Sequence, residues 1–201
     1  MKFKHYFWGL ICFITLNANS QSLMPNDTSG LKKGIYKNYD EFKHNNPSLP
    51  LNFSLISFSE TYGFFDANSI NRYRLLGLSQ ERDSIWGFCD GENVYVNYSY
   101  YEDILFSKGL TFDKLVLGRY CYAECISYFY GGGTIGRLLI RFAIDFNTGQ
   151  AIRLNNNGVI KKLLKNDPEL LQQFKNDDDK RDRYSYYLQE YSKRHKNEII
   201  K

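Results

Sequence analysis

The sequence predicts an α+β domain, with an antiparallel, tyrosine-rich β-sheet over about residues 52–154 and two or three α-helices over about residues 156–196. Three observations carry this expectation. From Asn52 onward, short segments rich in tyrosine and branched side chains alternate in polarity. Asp90-Gly91 and Asn147-Thr148-Gly149 break them with turn chemistry. After Leu154 the apolar residues recur at three- and four-residue spacing, the period of a helix. Strands collected first and helices afterwards make an α+β chain rather than an alternating α/β one.

The elements follow in order. Gly34-Ile35-Tyr36 opens the folded part. Asn38 caps a short helix, with Glu41 three residues on and Phe42 facing inward, and Asn45-Asn46-Pro47 ends it. Asn52 to Ser59 reads as a strand, with Phe53 and Leu55 on one face and Ile56 and Phe58 on the other; a second strand runs from about Arg72 to Leu78. Ile85 to Cys89 and Asn93 to Tyr98 form a hairpin around Asp90-Gly91, because Asp-Gly supplies the positive backbone angles a tight turn requires. Leu110 to Phe129 holds further strand sequence. Leu138, Ile140, Phe142, Ile144 and Phe146 then alternate with Arg141 and Asp145, and Gln150 to Leu154 is the last strand. Val159, Ile160, Leu163 and Leu164 form one helical stripe behind the caps Asn156 and Asn157. Asp167-Pro168-Glu169 starts a second helix with Leu170, Leu171 and Phe174 inward. Tyr184, Tyr187, Leu188 and Tyr191 line a third.

Ahead of these elements lies a leader. Lys2 and Lys4 precede the uncharged, apolar run Tyr6 to Leu16, and Ala18 and Ser20 occupy the small-residue positions before a cut at Gln21. Residues 1–20 therefore read as a secretory signal peptide, residues 21–33 as a flexible mature N-terminus and residues 34–201 as one domain. The apolar run is about half the ~20 residues that span a bilayer as a helix, and no later stretch is long enough, so no membrane span is expected in the mature chain. Ile11 before Cys12 argues against lipidation. Losing two lysines and no acidic residue lowers the formal charge from +4 to +2, too balanced for a nucleic-acid footprint.

Three stretches, GIYKNYDEFKHNNPS, IWGFCDGENVYV and DFNTGQAIRL with LLKNDPELLQQF, resemble exported domains of unknown function common in Bacteroidota. The resemblance spans most of residues 34–175. It implies export and a periplasmic or extracellular setting, with no activity, cofactor or site to carry over. In that setting Asp83-Ser84-Ile85 resembles a short acceptor pattern for O-glycosylation.

Several motifs invite chemistry. Gly131 to Gly136 matches G-x-G-x-x-G, but the alternation after it predicts a strand where a dinucleotide site needs a helix, so it reads as a loop between antiparallel strands. Arg137-Leu138 stands where a P-loop has Lys and Ser/Thr. Asp177-Asp178-Asp179 lacks the spaced oxygens of a calcium loop, and no cofactor is expected. Cys89, Cys121 and Cys125 remain after export, an odd number in a compartment that permits disulfides. Cys121 and Cys125 on one strand would lie ~13 Å apart, beyond the ~7 Å a disulfide tolerates. A Cys121–Cys125 bond across a turn or helical loop at Tyr122-Ala123-Glu124, a bond from Cys89 to either, or three buried thiols all stay open. A thiol hydrolase would need His44 or His195 beside one of them.

The tyrosine load is the least ordinary feature. Tyr98, Tyr100, Tyr101, Tyr128 and Tyr130 stand as candidate binding residues, because tyrosine joins a flat apolar body to a polar tip and adjacent strand residues cannot all face one core. The expected function is thus a non-catalytic exported module that binds a protein or glycan through an aromatic sheet face. The alternative is a small exported hydrolase or thiol enzyme using one of the cysteines. The leader makes a direct prediction: intact-mass measurement of the exported protein should show a chain beginning at Gln21, and an intact Met1 would refute the leader.

Overall fold

The computed structural model describes residues 30–63, 68–78, 85–101, 110–131 and 133–196. Residues 1–29, which hold the expected leader and most of the expected mature N-terminus, and Asp83-Ser84 of the tripeptide that resembles an acceptor pattern lie outside the described residues. The chain order is β1 (Gly34–Tyr36), α1 (Tyr39–Lys43), β2 (Ser54–Tyr62), β3 (Asn68–Leu76), β4 (Gly87–Cys89), β5 (Val94–Val96), β6 (Asp113–Leu115), β7 (Tyr120–Gly131), β8 (Thr134–Asp145), β9 (Ala151–Arg153), α2 (Asn157–Leu163), α3 (Pro168–Asn176) and α4 (Tyr184–Arg194). This is the α+β arrangement expected, with α2, α3 and α4 collected at the C-terminal end and the short α1 between β1 and β2.

The strands form three antiparallel sheets where one was expected: β1-β4-β5-β6, the β2–β3 hairpin, and β7-β8-β9. Single bridges tie them together, Tyr73 to Phe112 and Val116 to Tyr122, so the segment around β6 touches both other sheets. Short strands in separate layers bury more side chains than one long sheet with an open face. In β1, β4 and β5 every residue is buried. Their side chains alternate between two cores: Tyr36, Cys89, Val94 and Val96 go to one, and Ile35, Phe88 and Tyr95 to the other.

Local chemistry places each turn and cap. Asn38 caps α1 by accepting from the Glu41 N–H at 2.9 Å, and Asn45 takes a left-handed φ of 49° where the helix stops. In the β4–β5 hairpin, Asp90 Oδ1 accepts from the Glu92 and Asn93 N–H groups at 2.9 and 2.7 Å, while Gly91 supplies φ 107°. Gly149 has φ 73° and lies flat against the Tyr39 ring, where a Cβ would collide. Asn156 and Asp167 cap α2 and α3 as their positions suggest.

The two faces of the β7–β8–β9 sheet meet different layers. Cys121, Ala123, Cys125, Ile140, Phe142 and Ile144 face the β1-β4-β5-β6 sheet, where Trp86 stacks on Phe42 at 4.5 Å. On the opposite face Tyr122 and Ala143 meet the helices through Ile160, Leu164, Leu170, Phe174, Tyr184, Tyr187, Leu188 and Tyr191. Leu163 and Leu171 pack only partly against this layer. The alternating stripe in β8 is buried from Ile140 onward, whereas Leu138 is exposed, because β8 runs past the end of the layers that cover it.

The β2–β3 hairpin, none of whose β2 residues is buried, is held by a buried ion-pair network. Arg72 of β3 donates through Nε and Nη2 to the two carboxylate oxygens of Asp113 in β6, at 2.8 and 3.0 Å. Its Nη1 reaches Glu60 of β2 at 3.0 Å, and Nη2 also reaches Thr111 Oγ1 at 2.9 Å. The Tyr128 hydroxyl of β7 donates to the other Glu60 oxygen. Burial pushes the Asp113 carboxyl up to about 6, against the opposing pull of the Arg72 charge and its hydrogen bonds.

Two stability predictions follow from this packing. Asp113→Ala leaves the Arg72 guanidinium buried without its main partner and should cost about 3–5 kcal/mol. The double variant Arg72→Met/Asp113→Leu should cost much less than the two single changes together, as read by urea denaturation; additive costs would mean the two residues are not coupled. Phe174→Ala, in a fully buried site against Tyr184 and Tyr187, should cost about 3–5 kcal/mol. The half-buried Leu171 should cost clearly less when truncated.

Candidate functional site

The five candidate tyrosines fall into four settings. Tyr98, in a short 3-10 turn after β5, is a core residue at 2 % exposure with its ring 4.5 Å from Phe142. It cannot belong to an exposed face, since the chain turns inward there instead of continuing as a strand. Tyr100 and Tyr101 are half-buried against the same core, edge to face at 5.4 Å, and the Tyr101 hydroxyl accepts from the Trp86 indole N–H at 2.5 Å. Tyr128 is turned onto Glu60 by the network above. Only Tyr130 stands open.

Tyr98 and Tyr101 also line a cleft of about 330 Å³ with Phe142, Gln150 and Arg153. Planar polar groups over aromatic rings suit a sugar. Here the floor is 2 % exposed at Tyr98 and 0 % at Phe142, which leaves those two rings almost no face on which a sugar could stack.

Apart from Leu55, Ile56 and Leu76 on β2–β3 and Tyr186 on α4, four exposed large apolar side chains gather elsewhere, at the far end of the β7–β8 hairpin. Pairing there continues to Gly131 opposite Thr134, so the connection is shorter than the Gly131–Gly136 loop expected, and Gly133 supplies φ 81°. Tyr130 pairs with Ile135 across the strands, and the Phe129 ring lies over Gly136, where any Cβ would collide with it. Phe129, Tyr130, Ile135 and Leu138 are 40–66 % exposed. Alternation puts Tyr130 and Ile135 on one face and Phe129 and Leu138 on the other, so both faces are apolar. Arg137 anchors one side by donating to the carbonyl and hydroxyl of Thr61 at 3.3 and 3.2 Å. Ile135 and Leu138 are not among the candidate binding residues of the sequence, in which Leu138 shares one alternating stripe with Ile140, Phe142, Ile144 and Phe146. Their nearness to the glycine turn was the available signal, since residues beside a hairpin tip outrun the layers that would bury them.

The thiols are core groups. Cys121 and Cys125 lie on one strand, β7, and Cys89, Cys121 and Cys125 are all buried thiols. Burial pushes the Cys121 thiol up to about 12 and raises that of Cys89, and Cys121 Sγ donates to the Gly118 carbonyl at 3.2 Å. A nucleophilic cysteine needs the opposite shift. His44 Nδ1 contacts the Asp40 carbonyl at 2.8 Å beside α1, while His195 stacks on Tyr191 and lies 3.4 Å from Asp167. Both contacts hold a helix end in place.

Asp177 is likewise structural. Hydrogen bonding from the Tyr187 hydroxyl, joined by the Asp179 N–H and the Arg183 charge, holds its carboxyl below the usual range. Among the described residues no group of three or more His, Cys, Asp or Glu side chains could hold a metal ion, and no helix is long and apolar enough to cross a membrane. The segment after the glycines is β8, which removes the helix N-terminus a dinucleotide site would use.

Comparison with curated proteins and with solved structures finds no match to this chain. Residues 34–195 do match a described family, and that span holds every element from β1 to α4. The chain belongs to DUF6563, a family of unknown function.

Proposed function

We propose that this protein is an exported, non-catalytic module that holds a protein partner through the apolar end of its β7–β8 hairpin. The observation that carries the proposal is the set Phe129, Tyr130, Ile135 and Leu138, four large apolar side chains left 40–66 % exposed on a narrow projecting element. Exposed apolar side chains scattered singly need no explanation; four gathered on one hairpin end mark an interaction surface. Interfaces gain most of their energy from a few aromatic and aliphatic anchors that a partner desolvates completely. A hairpin end that is apolar on both faces suits a protein groove closing around it better than a flat sugar surface. Support for export comes from the leader pattern of residues 1–20 and from the resemblance to exported domains.

Photo-crosslinking in cells of the source organism tests this reading. With a photoreactive phenylalanine at position 130, one discrete protein adduct is expected. The adduct should be lost in an Ile135→Asp/Leu138→Asp background and absent when the probe replaces exposed Lys161. These tip substitutions should change stability by no more than about 0.5 kcal/mol, so loss of the adduct would report binding and not unfolding. A saccharide adduct would replace the protein partner with a glycan, and equal labelling at positions 130 and 161 would refute the site.

A further inference from the structure

A second surface, remote in sequence from the hairpin tip, has a different chemistry. Between β6, the turn of the β4–β5 hairpin and the end of α4 lies a cleft of about 460 Å³, within the volume range of small-molecule sites. Lys114, Lys193 and Lys196 line it, together with Gln189, Val116 and Leu117. Each lysine is exposed. We infer that this cleft binds an amphiphilic organic anion, a small molecule with a negatively charged head on an apolar body.

The placement of Lys114 favours a ligand over a purely structural role. In β6 the residues on either side of it, Asp113 and Leu115, point inward, the first to Arg72 and the second into the core. Alternation therefore turns Lys114 outward into the cleft. Lys193 belongs to the last turn of α4, where a cation complements the helix dipole, and Lys196 follows the helix end. That explanation does not reach Lys114, which comes from a strand with no such dipole. Among the described residues the opposing charges at the cleft are Glu92, which lines it, and Glu190, which holds Lys193 at 2.7 Å. The ammonium groups remain in excess. Val116 and Leu117 are only partly buried, so the apolar wall still has area to cover. A bare inorganic ion would leave that wall wet, and a neutral amphiphile would leave the ammonium groups without a counter-charge.

Isothermal calorimetry on the purified protein can separate these contributions with three probes: octyl phosphate below its micelle concentration, inorganic phosphate, and octyl glucoside. Octyl phosphate should bind saturably and more tightly than either of the others, and should weaken as salt rises. Lys114→Gln and Lys193→Gln should each reduce its affinity about tenfold, the scale of one exposed charge-assisted contact. Both positions are exposed, and an unchanged urea midpoint would confirm that the fold is intact. Equal binding of octyl glucoside would overturn the anionic assignment. Equal binding of inorganic phosphate would overturn the role of the apolar wall. Unaltered affinity in both lysine variants, or no saturable binding of octyl phosphate, would overturn the site. The hairpin-tip proposal is untouched by any of these results, since the two surfaces share no residue.

Discussion

The Arg72 guanidinium sits where polar side chains from all three sheets meet. It draws carboxylates from two strands, Glu60 of β2 and Asp113 of β6, and through Glu60 it engages Tyr128 of β7. Such a pair is expensive to assemble, because taking charges out of water costs several kcal/mol per ion before any attraction is counted. The raised Asp113 carboxyl shows that cost locally. What the arrangement supplies is geometry. A planar guanidinium accepts partners only in defined directions, so the β2–β3 hairpin, which has few buried apolar residues of its own, takes one orientation relative to β6 and β7.

That constraint has consequences for both surfaces. Drawing Asp113 inward turns Lys114 outward, one residue later on the same short strand, so the network and the lysine cleft share β6. Placing the end of β2 beside Arg137 anchors one side of the β7–β8 hairpin while its tip extends beyond the layers. The lower half of the hairpin is buried between sheet and helices, which fixes its base by packing on both faces. Rigid presentation of a few apolar anchors lowers the ordering cost of binding.

Tyrosine serves this chain mainly as core material with a polar end. Tyr36, Tyr98 and Tyr184 are buried as completely as phenylalanine would be. The hydroxyls of Tyr36 and Tyr184 are satisfied inside the fold, Tyr36 by the Lys32 carbonyl at 3.0 Å and Tyr184 by Asn157 at 2.6 Å. An aromatic count along the strands therefore overstates the exposed aromatic surface. The same holds for the cysteines, which fill space between sheets as small apolar groups.

Local chemistry alone was enough to read the α+β class, the hairpin at Asp90-Gly91, the strand after the glycines, the caps at Asn38, Asn156 and Asp167, and the inward stripe of α4. Each depends on neighbours within a few residues, and capping, turn geometry and periodicity act at that range. The division into three sheets, the burial of Tyr98, the exposure of Leu138 and the meeting of Arg72 with Asp113 were decided only in three dimensions. Alternation states that two sets of side chains face opposite ways, but which set is covered depends on what packs there. Lys114 shares a cleft with Lys193 and Lys196 only because α4 packs back against β7. Such long-range contacts leave no trace in the spacing of residues along the chain.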